Sequence, residues 1–259
     1  MDEVVLVERA GEVATVTLNQ PAKMNAINNA MWERLAEVFA AFDRDLDLRC
    51  IVVQGAGERA FSVGADIGEF EQNRSSIEKA RHYHERTHAA MARIGGCRHP
   101  VIAKIRGLCV GGGLEFATTC DLRIASEGSR FGIPIKRLGL VVSYAELKPL
   151  ISLIGPANAL EILLEGQIFG AEQALRIGLI NRVVPDAELD AEVETTAARI
   201  VEGAPLVARW HKKFTQRLLE PEPLTPAEFD EAFECFGTED FRSGYRSFLD
   251  KTRPRFQGR

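Results

Sequence analysis

A chain of 259 residues, 46% hydrophobic and 27% charged, has the composition of an ordinary folded protein able to bury a sizeable core. Its net charge of −5 provides no basic face for a phosphate backbone, which excludes nucleic acid as a first partner. No stretch approaches the roughly 18 apolar residues of a membrane span, and Met1-Asp2-Glu3 lacks the positive start of a signal peptide, so a cytoplasmic chain that begins here is expected. Five cysteines (Cys50, Cys97, Cys109, Cys120, Cys235) are scattered without a Cys-x-x-Cys pair and read as reduced, mostly buried thiols.

In chain order, Val4 to Val7 and Val13 to Leu18 are β-branched runs separated by Gly11-Glu12, the pattern of a hairpin. Asn28 or Asn29 can cap a helix in which Met31, Leu35, Val38, Phe39 and Phe42 recur at helical spacing. Cys50 to Gln54 and Val101 to Ile105 are nearly unbroken apolar runs, expected as strands covered on both faces. Ile77 to Ile94 reads as a long helix between them, and Leu122 to Ala125 as another short strand. From Tyr144 onward the pattern is almost wholly helical, broken at Gly155-Pro156, Gly170 and Gly178. The proline-rich segment from Glu220 to Pro226 predicts a rigid connector, with Thr225 capping a last helical section.

The stretch from Val101 to Phe116 predicts a buried strand that passes through a glycine turn into a helix. Glycines let backbone approach a ligand closely, and the first amides of a helix lack internal partners. Gly112 or its neighbours can therefore hold an oxyanion, with Glu115 one turn further on; the alternative is a glycine turn for tight packing. A dinucleotide fingerprint needs glycine where Phe116 stands, so that reading fails. In the segment from Gly57 to Phe70, Gly64 and Ala65 precede a helix start at Asp66 and offer a second set of donors, while Asp66 itself reads first as a plain N-cap. His84 and His88 are spaced to share a metal, but no third ligand is evident, so no metal is expected. His211-Lys-Lys213 reads as a solvated basic face, and Ser143-Tyr-Ala-Glu146 lacks the lysine of a serine nucleophile pair.

Together these segments resemble the crotonase, or enoyl-CoA hydratase/isomerase, superfamily. The resemblance runs from Gln20–Asn28 through Ala60–Phe70, Gly107–Glu115, Glu161–Gly166, Ala171–Ala174 and Gly178–Pro185 to Ser247–Phe256. It implies an α/β fold, a spiral of strand-strand-helix units over residues 1–200 with a helical region over 201–259 that builds trimers, commonly paired into hexamers. It implies an acyl-CoA substrate, no separate cofactor, and a thioester oxygen held by the amides of Ala65 and Gly112 beside Glu115. Ala22, Lys23, Met24, Ala26, Ala65, Asp66 and Ile67 would hold coenzyme A, with Lys251 reaching its phosphates.

One departure stands out. Hydratases of this superfamily carry a second glutamate in a Phe-Gly-x-Pro-Glu segment, which here reads Phe131-Gly-Ile-Pro-Ile135. Concerted hydration needs one group to deprotonate water and another to protonate the α-carbon, so Glu115 alone is poorly equipped. Tyr144 and Glu146 are the candidate substitutes. A hydratase or lyase is expected first; decarboxylation, isomerisation or thioester hydrolysis, or a silent acyl-CoA-binding protein, are the alternatives.

Overall fold

The computed structural model describes residues 3–259. The opening runs pair as expected, β1 (Val5–Ala10) antiparallel to β2 (Val13–Leu18), with Gly11 at φ 60° in the turn. Asn28 caps α1 (Asn29–Phe42) by accepting from the Met31 amide at 2.9 Å, and the apolar stripe of that helix is buried.

The chain then alternates between two sheets. β3 (Cys50–Gly55) pairs in parallel with β2, whereas β4 (Ala60–Ser62) begins a second sheet. After α2 (Phe70–Arg74) and α3 (Ile77–Gly95), β5 (Val101–Ile105) returns to the first sheet and β6 (Leu108–Val110) to the second. After α4 (Gly112–Thr118), β7 (Leu122–Ser126) and β8 (Arg130–Gly132) repeat the step. α5 (Tyr144–Glu165), β9 (Phe169–Gly170), α6 (Ala171–Arg176) and β10 (Arg182–Val184) complete the layers. The sheets run β1-β2-β3-β5-β7-β10 and β4-β6-β8-β9, so each strand-strand-helix unit moves one place along both, which is the expected spiral. α7 (Leu189–Val201), α8 (Pro205–Arg217), α9 (Pro226–Glu231) and α10 (Glu239–Asp250) follow. Thr225 caps α9 through a capping box with Glu228.

Side chains alternate across the first sheet with period two. Ile51, Val53, Val101 and Ala103 enter the main core with α1 and α3, while Cys50, Val52, Ile102 and Ile124 face Leu189, Val193 and Ala197 of α7. Apolar cover on both faces explains why these strands read as unbroken hydrophobic runs.

Two expectations are corrected. Among the described residues α5 is long and apolar enough to cross a membrane by length and composition. It is not one straight rod: Gly155 has non-helical dihedrals (φ 73°), Pro156 begins the second half, and Leu150, Ile154, Ala159 and Ile162 enter the protein core. The basic run near His211 is not wholly solvated either. The Lys212 side chain is largely covered, donates to Asp121 at 2.7 Å and to the His99 carbonyl at 3.0 Å, and so fastens α8 to the start of β5.

Candidate active site

Two loops meet at the N-terminus of α4. Gly111 has φ 53° and ψ −133°, a conformation reserved for glycine, which turns the chain from β6 into the helix. Gly64, at φ 90°, lies against it: a Cβ there would stand 2.7 Å from the Gly112 nitrogen. A Cβ on Gly112 would lie 3.6 Å from the Ala65 nitrogen and 3.6 Å from Glu115 Oε2, so two amides and one carboxyl converge on a single small space. Among the described residues neither the Ala65 nor the Gly112 amide donates a hydrogen bond. Two unspent donors facing one point can bind an oxygen that carries developing charge.

α4 is anchored for this task. Phe116 stacks on Phe61 at 5.9 Å and meets Trp32 edge-on at 6.1 Å. At the other end of the helix the buried guanidinium of Arg123 donates to the carbonyls of Cys120 (2.5 Å) and Leu179 (2.8 Å). A cation there complements the negative end of the helix.

Glu115 is 9% exposed. Burial pushes its carboxyl up to about 8; the Glu146 carboxylate adds to the shift and Arg74 opposes it. At neutral pH Glu115 therefore holds its proton and is equipped to donate it.

Ile135 stands in the cleft wall, half-buried, where the superfamily has its second glutamate. Glu146 reaches the same cleft from the first turn of α5. Its Oε2 accepts from the Ser143 hydroxyl at 2.6 Å and the Ser143 amide at 2.9 Å, the reciprocal half of a capping box. Its Oε1 lies 3.9 Å from His84 Nδ1 and 3.8 Å from His88 Nε2, and Ser143 Oγ is 2.9 Å from His88 Nε2. Glu146 thus supplies the third group that the sequence reading of the two histidines lacked, and these three residues are the ones able to hold a cation among those described. Ser143 already bridges His88 and Glu146, so the cluster also works without an ion, as a scaffold that fixes the carboxylate. Burial lowers His84 below the usual imidazole value, favouring its neutral form. Tyr144 does not join them: it is 94% exposed and faces solvent.

The segment Pro21–Lys23 forms a short 3₁₀ turn, followed by Met24 and Asn25 in left-handed conformations at φ 52° and 54°. Asn25, fully buried, holds this loop by donating to the carbonyls of Ala56 (3.0 Å) and Ala60 (2.7 Å). Ile27 pairs with Ala65 as an isolated parallel bridge, so Ala22 to Ala26 lie beside the loop of Ala65, Asp66 and Ile67. Asp66 caps the following turn by accepting from Gly68 at 3.0 Å and also pairs with Lys23 at 2.6 Å. That pair, aided by the hydrogen bond, holds the aspartate below its ordinary value. Lys251 is exposed at the C-cap of α10 and does not line the cleft.

The cleft has a volume of about 190 Å³. Beyond Glu115 and Glu146 lies a second cavity of about 430 Å³ between α3, α5 and α8, lined also by Met91, Thr118, Leu153 and Leu219. Sequence reasoning missed Arg74, which lines the first cleft. No motif marks it; only the fold brings the end of α2 to the mouth of α4.

Residues 8–259 match the family model described as enoyl-CoA hydratase/isomerase. The chain is 35% identical over 251 residues to the short-chain-enoyl-CoA hydratase of Clostridium acetobutylicum, covering 96% of this chain and 95% of that protein. It is 32% identical over 256 residues to the crotonyl-CoA hydratase of Syntrophomonas wolfei, covering 98% of each. Among solved structures, an enoyl-CoA hydratase/carnithine racemase from Magnetospirillum magneticum superposes with a TM-score of 0.98 at 44% identity, over 100% of this chain and 97% of that one.

Proposed function

Because the chain belongs to the enoyl-CoA hydratase/isomerase family, we propose that it adds water across the α,β double bond of an enoyl-CoA. In this reading the thioester oxygen sits between the Ala65 and Gly112 amides. Glu146 takes a proton from water as its oxygen bonds to the β-carbon, and Glu115 gives its proton to the α-carbon. Negative charge on the enolate oxygen is met by donors already in place, worth about 3 to 4 kcal/mol for one such donor in another enzyme. The observation that carries the reading is the entry of Glu146 into the cleft that holds Glu115 and both free amides, which supports a two-carboxylate mechanism despite Ile135.

Coenzyme A arrives as part of the substrate, and no separate cofactor is called for. The loops of Ala22, Lys23, Met24 and Ala26 and of Ala65, Asp66 and Ile67 would carry its pantetheine and adenosine, with Lys251 toward the phosphates. We further propose a spiral core over residues 1–200, a helical region over 201–259, and a homotrimer or hexamer working in the cytoplasm. The oligomer is supported by the solvent-facing aromatics of the last helices, among them Phe233, Phe236, Tyr245 and Phe248. Unpaired cysteines suit a reducing compartment.

Loss of enone absorbance on mixing the protein with crotonyl-CoA tests the reaction. Turnover that disappears in both Glu115→Gln and Glu146→Gln is expected; full activity in either variant, or no hydrated product by mass spectrometry, defeats it.

A further inference from the structure

The hydration chemistry leaves one cation in the cleft unused. Arg74 ends α2 with its ζ carbon 4.4 Å from the Phe70 ring centre and 4.7 Å from that of Tyr83. Its Nε is buried without a hydrogen-bond partner, and among the described residues it enters no ion pair. Two rings stabilise the faces of the guanidinium and the Tyr83 hydroxyl lies within its reach, but no carboxylate meets its in-plane N–H donors among the described residues. The carboxyls nearby do not fill that role. Neither Glu115 nor Glu146 forms an ion pair with Arg74, and Glu146 directs one oxygen to Ser143 and the other toward His84 and His88.

Arg74 lies in the cleft itself, on the short helix that follows the Ala65–Ile67 loop, and not beside Ala22 to Ala26, the other loop proposed to hold coenzyme A. There the cation, Lys23, is already paired with Asp66. Arg74 instead lines the cleft with Ala65, Gly112 and Glu115, and its charge is felt at Glu115 and His84. A planar, fork-shaped cation at the reacting end of a thioester cleft matches a carboxylate bidentately.

We propose that Arg74 receives a carboxylate borne by the acyl group, so that the preferred substrate is the CoA monothioester of an unsaturated dicarboxylic acid. The assignment of the substrate as an enoyl thioester rests on the hydration reading; the anion subsite itself does not.

The test is calorimetric binding of glutaryl-CoA, butyryl-CoA and free coenzyme A to the full chain and to its Arg74→Gln and Arg74→Lys variants, with circular dichroism as the folding control. These saturated thioesters do not react, so binding is read apart from turnover. The wild type is expected to prefer glutaryl-CoA over butyryl-CoA roughly 10- to 100-fold, the value of a charged hydrogen bond. Arg74→Gln should bring that ratio to near one, and Arg74→Lys should leave it in between. A wild-type ratio near one overturns the proposal, as does a folded Arg74→Gln that keeps the preference. Equal weakening of free coenzyme A and glutaryl-CoA in Arg74→Gln also overturns it, because Arg74 would then read a phosphate. If Arg74→Gln does not fold, an undiminished ratio in Arg74→Lys overturns it and a reduced one supports it. Glutaconyl-CoA and crotonyl-CoA are assayed in parallel: if neither is hydrated while the binding ratio holds, the hydration reading falls and the Arg74 subsite stands.

Discussion

Glu115 is kept neutral by its surroundings, and this has two measurable consequences. If it acts as the acid, kcat/KM should fall as pH rises through about 8, where the carboxyl loses its proton. Glu115→Gln should lower kcat by roughly 10² to 10⁴ and remove that limb. Stability follows the same group. The folded state holds a proton that the unfolded chain releases near 4.5, so the group's contribution is complete below that pH and is lost as pH climbs to about 8. Urea titrations should show Glu115→Gln gaining on the wild type between pH 5 and pH 9, by at most about 4 kcal/mol. Gly112→Ala probes the neighbouring amide. The added methyl meets nothing closer than 3.5 Å, so the protein should fold, but the group occupies the space where both amides and Glu115 Oε2 converge. A loss of about 10² to 10³ in kcat with unchanged circular dichroism is expected, the scale of removing one oxyanion donor.

α4 is a seven-residue helix whose placement depends on its buried side chains. Phe116→Ala should cost about 3 to 5 kcal/mol in chemical denaturation and, by loosening the helix, reduce kcat as well. Much of this element was legible in advance. The strand Val101–Ile105 and the glycine run into Glu115 announce themselves because an unbroken apolar stretch and clustered glycines are strong local signals. β6, inserted between them, does not, since three residues are too few to display alternation; the whole second sheet was missed for that reason. Glu146 and Tyr144 were indistinguishable in sequence. They begin the same helix, and only its docking against α3 sends Glu146 toward His84 and His88 and Tyr144 to solvent. Arg74 is legible only in three dimensions.

Across the whole molecule, the exposed phenylalanines gather at the C-terminal end. Phe233, Phe236, Phe241 and Tyr245 form a ladder with successive ring centres 6.5, 5.0 and 6.4 Å apart, and Phe248 is 83% exposed. Contiguous aromatic surface of this kind suits the proposed interface between copies of the chain. If the proposed trimer forms through this surface, Phe248→Asp should shift it toward monomers in light scattering after gel filtration, while the isolated chain keeps its spiral core by circular dichroism.

Glu115 and Glu146 form a partition between two chambers, the cleft with the free amides and the larger cavity behind it. A carboxyl that lines both spaces would serve the proposed reaction as a two-sided valve for protons. In the proposed hydration, a proton handed to the substrate in front would be replaced from behind while the product still fills the cleft. Reloading and product departure would then be independent events, so the acid would be ready for the next substrate before the product has left.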